Sequence, residues 1–184
     1  MNNDEIETIK KAINGNRQAI IKLIRQEENN IYSTLFYLKK NNDEINDLMQ
    51  DVLIKLSKKI YQLKNPLYFK TWLNQIILNT YYDYLRKNKK IFKAVPDENE
   101  KNNIIDDKNN PQDRVLYTEL DKVIRNSIEN LPIQYRIPIV LRELQGLTYN
   151  QISNITNVSQ GTVKSRISRA RSIIQDKVRK YAQE

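Results

Sequence analysis

The chain has 184 residues, with 31 Lys and Arg against 22 Asp and Glu and a formal net charge of +9. It contains no cysteine and no histidine, which excludes a disulfide framework, a thiolate metal site and the commonest general base; neither a metal site nor a cofactor is expected. No apolar run is long enough to span a membrane and no signal peptide opens the chain, so a soluble, cytoplasmic protein is expected.

Only three glycines and five prolines interrupt long periodic segments, and the fold class is expected to be all-α. The pattern predicts helices over residues 4–13, 17–39, 43–63, 67–88, 112–130, 132–145, 148–155 and 159–181. In the third, Ile45, Leu48, Met49, Val52, Leu56 and Ile60 form an apolar stripe, with Asp47, Gln50 and Asp51 off it on a polar face. That face is either a docking surface or a solvated one.

The fourth helix carries two stripes. Trp72, Ile76, Asn79, Asp83 and Arg86 share one, and Leu73, Ile77, Thr80 and Tyr84 share the other, about 110° away. The first mixes an indole, an amide and charges and runs into Arg86-Lys87-Asn88-Lys89-Lys90. Asn65-Pro66-Leu67-Tyr68-Phe69 stands before it. Aromatic side chains beside a basic run suit unstacked bases; equally, Phe69 and Trp72 suit a core. Asn79 and Asp83, one turn apart, can converge on one base edge, or Asp83 can simply pair with Lys87.

The segment 94–111 is charged, rich in Asn and poor in apolar residues, and reads as a linker. Beyond it, Pro132 suits a first helical turn, Pro138 is expected to bend its helix, and Gly146 is a natural stop. Charge follows this division. Residues 1–93 hold 17 basic and 10 acidic side chains, residues 94–130 hold 5 and 9, and residues 131–184 hold 9 and 3. Two basic blocks around an acidic stretch point to two DNA-facing units.

Residues 148–171, TYNQISNITNVSQGTVKSRISRAR, read as a helix-turn-helix. Thr148 with Gln151 is a capping-box pattern, Thr156-Asn157-Val158 is the turn, and Ser159 is a good N-cap. In the second helix Val163, Ile167, Ala170 and Ile174 fall on one side. Ser165, Ser168, Arg169 and Ser172 fall opposite, flanked by Lys164, Arg166 and Arg171. Short hydroxyls allow close approach to a major groove, and long cations reach phosphates or guanine edges.

These blocks, taken in order, resemble the extracytoplasmic-function (ECF) sigma factors, the small group of the sigma-70 family. Asn42-Asp43-Glu44-Ile45-Asn46-Asp47-Leu48-Met49-Gln50-Asp51 is similar to region 2.2, with Asn46 where many relatives carry an acid. Phe69-Lys70-Thr71-Trp72-Leu73, Asn79-Thr80 and Asp83-Tyr84-Leu85-Arg86 resemble regions 2.3 and 2.4. Leu131-Pro132, Tyr135-Arg136, Gly146-Leu147-Thr148-Tyr149, Gly161-Thr162-Val163-Lys164-Ser165-Arg166 and Arg169-Ala170-Arg171 resemble region 4.2, with Ile155-Thr156-Asn157 in place of the usual Leu-Gly turn. The stretches around Asn65-Pro66, Lys70-Thr71-Trp72 and residues 86–90 resemble the envelope-stress, sigma V type.

The resemblance implies two helical domains, region 2 over 1–93 and region 4 over 112–184, joined by the linker 94–111, and no enzyme activity. It implies core RNA polymerase as partner, held at the β′ clamp by Asp47, Leu48, Gln50 and Asp51 and at the β flap by the second domain. It implies recognition and melting of the minus-ten element by Asn65, Leu67, Tyr68, Phe69, Trp72, Asn79, Asp83, Arg86 and Lys87. Ser159, Gln160, Thr162, Lys164, Ser165, Arg166, Ser168, Arg169 and Arg171 would read the minus-thirty-five duplex. The linker would thread the polymerase's nucleic-acid channel or act as a plain tether. Promoter DNA and an anti-sigma factor are the other implied partners, and a stress or envelope response the implied setting. A helix-turn-helix regulator acting without polymerase is the competing reading.

Overall fold

The computed structural model describes residues 3–39, 44–92 and 119–183, with side chains for all of these but 89–92. The linker 94–111, the predicted start of the fifth helix at 112, and Asn42, Asp43 and the side chains of Lys89 and Lys90 lie outside the described residues. Within them the elements are all helical: α1 (Asn3–Ile13), α2 (Arg17–Leu38), α3 (Ile45–Lys59), α4 (Phe69–Phe92), α5 (Glu119–Glu129), α6 (Ile133–Glu143), α7 (Tyr149–Thr156) and α8 (Gln160–Tyr181). Two short 3₁₀ turns, Ile60–Gln62 and Pro66–Tyr68, join α3 to α4.

Helices α1–α4 gather round a core that follows the apolar periodicity. Leu35 and Leu38 of α2, Val52 and Leu56 of α3, and Leu73 and Ile77 of α4 are each at most 1 % exposed. Burying one such side chain contributes about 1.5–3 kcal/mol. The second stripe of α4 is the one that packs, and Ile76 of the first stripe packs with it. The C-terminal half builds its core from Ile137, Val140 and Leu141 of α6, Ile152 and Ile155 of α7, and Val163, Ile167 and Ala170 of α8. Helix α6 runs through Pro138, which is buried inside it. Beyond α6, Gly146 takes φ +61, a left-handed turn that glycine enters without strain.

The two halves touch through side chains that are largely polar. Helices α2 and α4 meet α5, α6 and α7 there. Arg136 of α6 is 6 % exposed; it donates to the Leu38 carbonyl at the end of α2 (2.8 Å) and to the Leu131 carbonyl of its own half (2.8 Å). The Tyr81 hydroxyl of α4 donates to the same Leu38 carbonyl at 2.6 Å. Buried Gln145 donates to Thr34 (2.6 Å) and accepts from Asn74 (3.4 Å). Gln151 donates to Thr71 at 3.0 Å. The Arg125 guanidinium lies 3.7 Å from the centroid of the Phe36 ring.

Candidate nucleic-acid interface

Helices α7 and α8 form the turn that the caps predict. The Thr148 hydroxyl accepts from the Gln151 amide N–H and the Gln151 side chain accepts from the Thr148 N–H, which closes the capping box. Ser159 accepts from the Thr162 N–H at 3.1 Å. Between them Asn157 takes φ 54, ψ 39. Asparagine is among the few residues other than glycine that enter this left-handed region at modest cost. It therefore makes the turn that Leu-Gly makes in relatives. The Ser153 hydroxyl secures it with a 2.6 Å bond to the Val158 carbonyl.

With α8 so placed, Val163, Ile167 and Ala170 point inward. Ser159, Gln160, Lys164, Ser165, Ser168, Arg169 and Arg171 are exposed, and Thr162 and Arg166 half-buried. This is a row of hydroxyls with cations on either side, 22 residues of helix presented as a ridge. Arg171 is the exception in freedom: its Nη2 and Nε reach the Glu143 carboxylate at 2.6 and 3.2 Å.

Helix α4 places its candidates less uniformly. Leu67 and Tyr68 are 61 % and 63 % exposed at the tip of the α3–α4 connection. Asn65 caps that turn, accepting from the Leu67 N–H at 2.9 Å. Phe69 corrects the stacking expectation: it is 3 % exposed, with its ring 6.1 Å from that of Trp72, and it is a core residue. Trp72 is half-buried, and Arg86 and Lys87 are exposed.

Asn79 and Asp83 do converge. Both line one cavity of about 820 Å³, with Lys55 and Lys59 of α3, Ile76, Tyr82, Leu85 and Arg86 of α4, and Ile133 of α6. Asp83 does not take Lys87 as partner. It pairs with Arg86, three residues on, and with Lys55 across the groove at 3.4 Å. Partial burial pushes its carboxyl up, but the hydrogen bonds from Arg86 and Lys55 outweigh this and hold it below the usual aspartate value. Asp83 is thus an ionised acceptor at neutral pH, while Asn79 offers an amide that Gln75 engages at 3.2 Å. The periodicity of α3 alone sets Lys55 and Lys59 together on one face, but only the packing of α3 on α4 shows that this face borders the cavity.

On α3, Asp47, Gln50 and Asp51 are exposed, as a docking face requires. Leu48 is 4 % exposed and belongs to the core, so it supports that face from beneath rather than lying on it.

Two family descriptions match this chain: Sigma-70 region 2 over residues 23–91, and Sigma-70, region 4 over residues 121–174. The ECF RNA polymerase sigma-E factor of Haemophilus influenzae is 31 % identical over 176 residues, covering 92 % of this chain and 93 % of that one. The ECF RNA polymerase sigma-E factor of Escherichia coli K12 is also 31 % identical, with 92 % of each chain covered. Two solved structures share the fold. The sigma factor RpoE in complex with the anti-sigma factor NepR from Bartonella quintana gives a TM-score of 0.68 at 23 % identity, covering 86 % of this chain and 95 % of that one. CnrH in complex with the cytosolic domain of CnrY gives 0.64 at 18 %, covering 94 % and 95 %.

The chain belongs to the ECF group of the sigma-70 family, and its function is that of an RNA polymerase sigma factor in transcription initiation. A sigma factor is an initiation factor and not an enzyme. Membership sets aside the regulator that acts without polymerase. The sigma V-type likeness is not confirmed by these relatives. Among the described residues no helix is long and apolar enough to cross a membrane.

Proposed function

We propose that the two halves divide the work of promoter recognition, region 2 over 1–93 and region 4 over 112–184, with 94–111 as the linker. The observation that carries this reading is the pair of unlike surfaces. A uniform, exposed row of hydroxyls and cations on α8 suits a duplex groove, and a cavity on α4 with an amide, a carboxylate, a tyrosine and three cations suits a single base.

In this reading Asp47, Gln50 and Asp51 dock on the β′ clamp of core RNA polymerase, and the C-terminal half docks on the β flap. Ser165 and Arg169 approach base edges of the minus-thirty-five element. Ser159, Gln160, Thr162, Lys164, Arg166, Ser168 and Arg171 grip the backbone and fix the register. Leu67, Tyr68 and Trp72 flank the opened minus-ten strand, with Asn65 shaping the loop. Asn79 and Asp83 hold one flipped base, while Arg86 and Lys87 hold its phosphates. Unstacking costs a few kcal/mol per step, which these contacts offset. The setting is cytoplasmic, in a stress or envelope response. An anti-sigma factor is the expected regulator, a reading supported by the two fold relatives, both crystallised with a bound partner.

Transcription in vitro with core polymerase, followed by mapping of start sites, tests the assignment. Initiation should depend on both components. A gel shift on the mapped promoter should require core for tight, specific binding. A specific shift by the protein alone would assign recognition to the free chain and overturn the division proposed here.

A further inference from the structure

The polar contact between the two halves is unusual for a permanent core. Arg136 is a buried cation whose charge meets backbone carbonyls rather than a carboxylate, and desolvation lowers its pKa. Around it lie Thr34, Gln145, Asn74, Thr71 and Gln151, joined by side-chain hydrogen bonds. Asn74 is fully buried, and its Oδ1 has no hydrogen-bond partner among the described residues. An unsatisfied buried acceptor costs stability in the closed arrangement and costs nothing once water reaches it. Side chains of this kind serve a surface that is exposed part of the time.

The same contact engages both candidate DNA-facing elements. Helix α7 lies directly on α4. Gln75 of α4 donates to Asn79 and also to the Ile155 carbonyl of α7. Arg166, at the front of α8, sits near enough to Tyr82 of α4 for its charge to act on that hydroxyl. Tyr82 and Asn79 line the cavity, and Ile133 of α6 closes one side of it. The centres of a minus-ten and a minus-thirty-five element are about 25 base pairs apart, about 85 Å of duplex at 3.4 Å per base pair. Helices in contact with one another cannot occupy both.

We propose that this interface is a self-inhibiting latch: Arg136 on the Leu38 carbonyl, with the Thr34–Gln145 and Thr71–Gln151 hydrogen bonds, holds the protein closed, covering the α4 cavity with α6 and α7 and keeping the two reading elements too close together to engage one promoter. Opening exchanges each of these bonds for water. Core polymerase, by separating the halves, releases the latch. The proposal rests on the assignment of α4 and α8 to the two promoter elements.

The absence of native cysteine allows donor and acceptor dyes at Lys64→Cys and Gln175→Cys in the full chain, on exposed positions of the two halves. Energy transfer is high in the free protein if it is closed, and falls when core polymerase binds. Thr34→Val with Thr71→Val keeps the volume of both side chains and strands the Gln145 amide in the closed state only. It lowers the closed-to-open ratio of the free protein roughly tenfold or more. Arg136→Met does the same if it folds; the Thr34/Thr71 pair decides the matter if it does not. Low transfer in the free wild-type protein, unchanged transfer in the Thr34/Thr71 variant, or high transfer retained on core would each overturn the latch. Failure to bind core or to start transcription would instead overturn the promoter-reading assignment, and the free-protein measurements would still judge the contact by itself.

Discussion

Helices α4 and α8 both carry candidate DNA-facing side chains, but in different company. On α8 a clean apolar side faces α6 and α7, so every remaining position is outward and available. On α4 the candidates share the helix with a core on more than one side. Ile76 and Leu78 are buried on faces that also hold Asn79 and Trp72, and the flanks carry ties to α3 and α7. The difference follows from the tasks proposed. A duplex is met by a ridge, and a ridge needs one buried side. An unstacked base is met by a cavity, and a cavity needs walls from several helices. The N-terminal half therefore builds its site from packing, and the C-terminal half from a surface.

The sharpest way to break that contrast is to remove the N-terminal half's hold on polymerase. Asp47 and Asp51 lie exposed on α3, away from the core. Asp47→Arg with Asp51→Arg should leave helicity unchanged and weaken core binding by several kcal/mol through like-charge repulsion, abolishing transcription at ordinary concentrations. Pull-down with core polymerase checks it; undiminished capture by a folded variant would move the docking face elsewhere.

Next comes the cavity. Asn79→Ala removes a donor and an acceptor beside Asp83 and should cost about 1–3 kcal/mol in holding the opened strand. Core binding and duplex recognition should survive. Permanganate reactivity of the minus-ten strand should fall, and a template with the strands already separated should restore activity. For α8 the matching change is Arg169→Ala. A base-edge contact is worth about 1–3 kcal/mol and carries selectivity, so a panel of mutated minus-thirty-five sites should lose discrimination at one position. Equal weakening at every site would reduce Arg169 to a phosphate contact and blur the distinction between the helices.

This asymmetry also governs what could be read beforehand. Helix periods, the capping box, the Ser159 cap and the outward row of α8 are local features, and they stand in the structure as the pattern implies. The α4 site was legible only in part. Asn79 and Asp83 converge as their spacing suggests, since one helical turn fixes their separation. Phe69 misleads because an aromatic at a helix start looks alike whether it faces a base or a core; its burial depends on tertiary packing. Lys55 as partner of Asp83, and Arg136 on the Leu38 carbonyl 98 residues away, depend on how helices meet, which no local pattern encodes.

A smaller effect tests the turn that sets α8 in place. Asn157 stands at φ 54, where a Cβ without a side-chain amide to compensate is strained by about 1–2 kcal/mol. Asn157→Ala should lower the melting temperature by a few degrees, and Asn157→Gly should not. Equal stability of the Ala and wild-type proteins would mean that the turn relaxes without cost and that α8 is held by its packing alone.

The smallest effect concerns Arg171, held by Glu143 at the far end of the α8 row. Both side chains are about half exposed, so the pair contributes only a few tenths of a kcal/mol to stability. Its meaning lies in binding. A guanidinium shared with a carboxylate contributes less to a phosphate than a free one, and Glu143 adds a negative charge beside the DNA. Glu143→Gln should leave the melting temperature nearly unchanged. It should raise affinity for all duplexes alike and steepen the dependence of log K on log salt by up to about one contact's worth. Arg171→Ala should do the reverse, again without changing base preference. Titrations of matched and mismatched sites at two or three salt concentrations separate these outcomes. A change in base preference in either variant would place Arg171 among the residues that read sequence, and would extend the reading row of α8 one turn further than the Ser165–Arg169 span assigned to it.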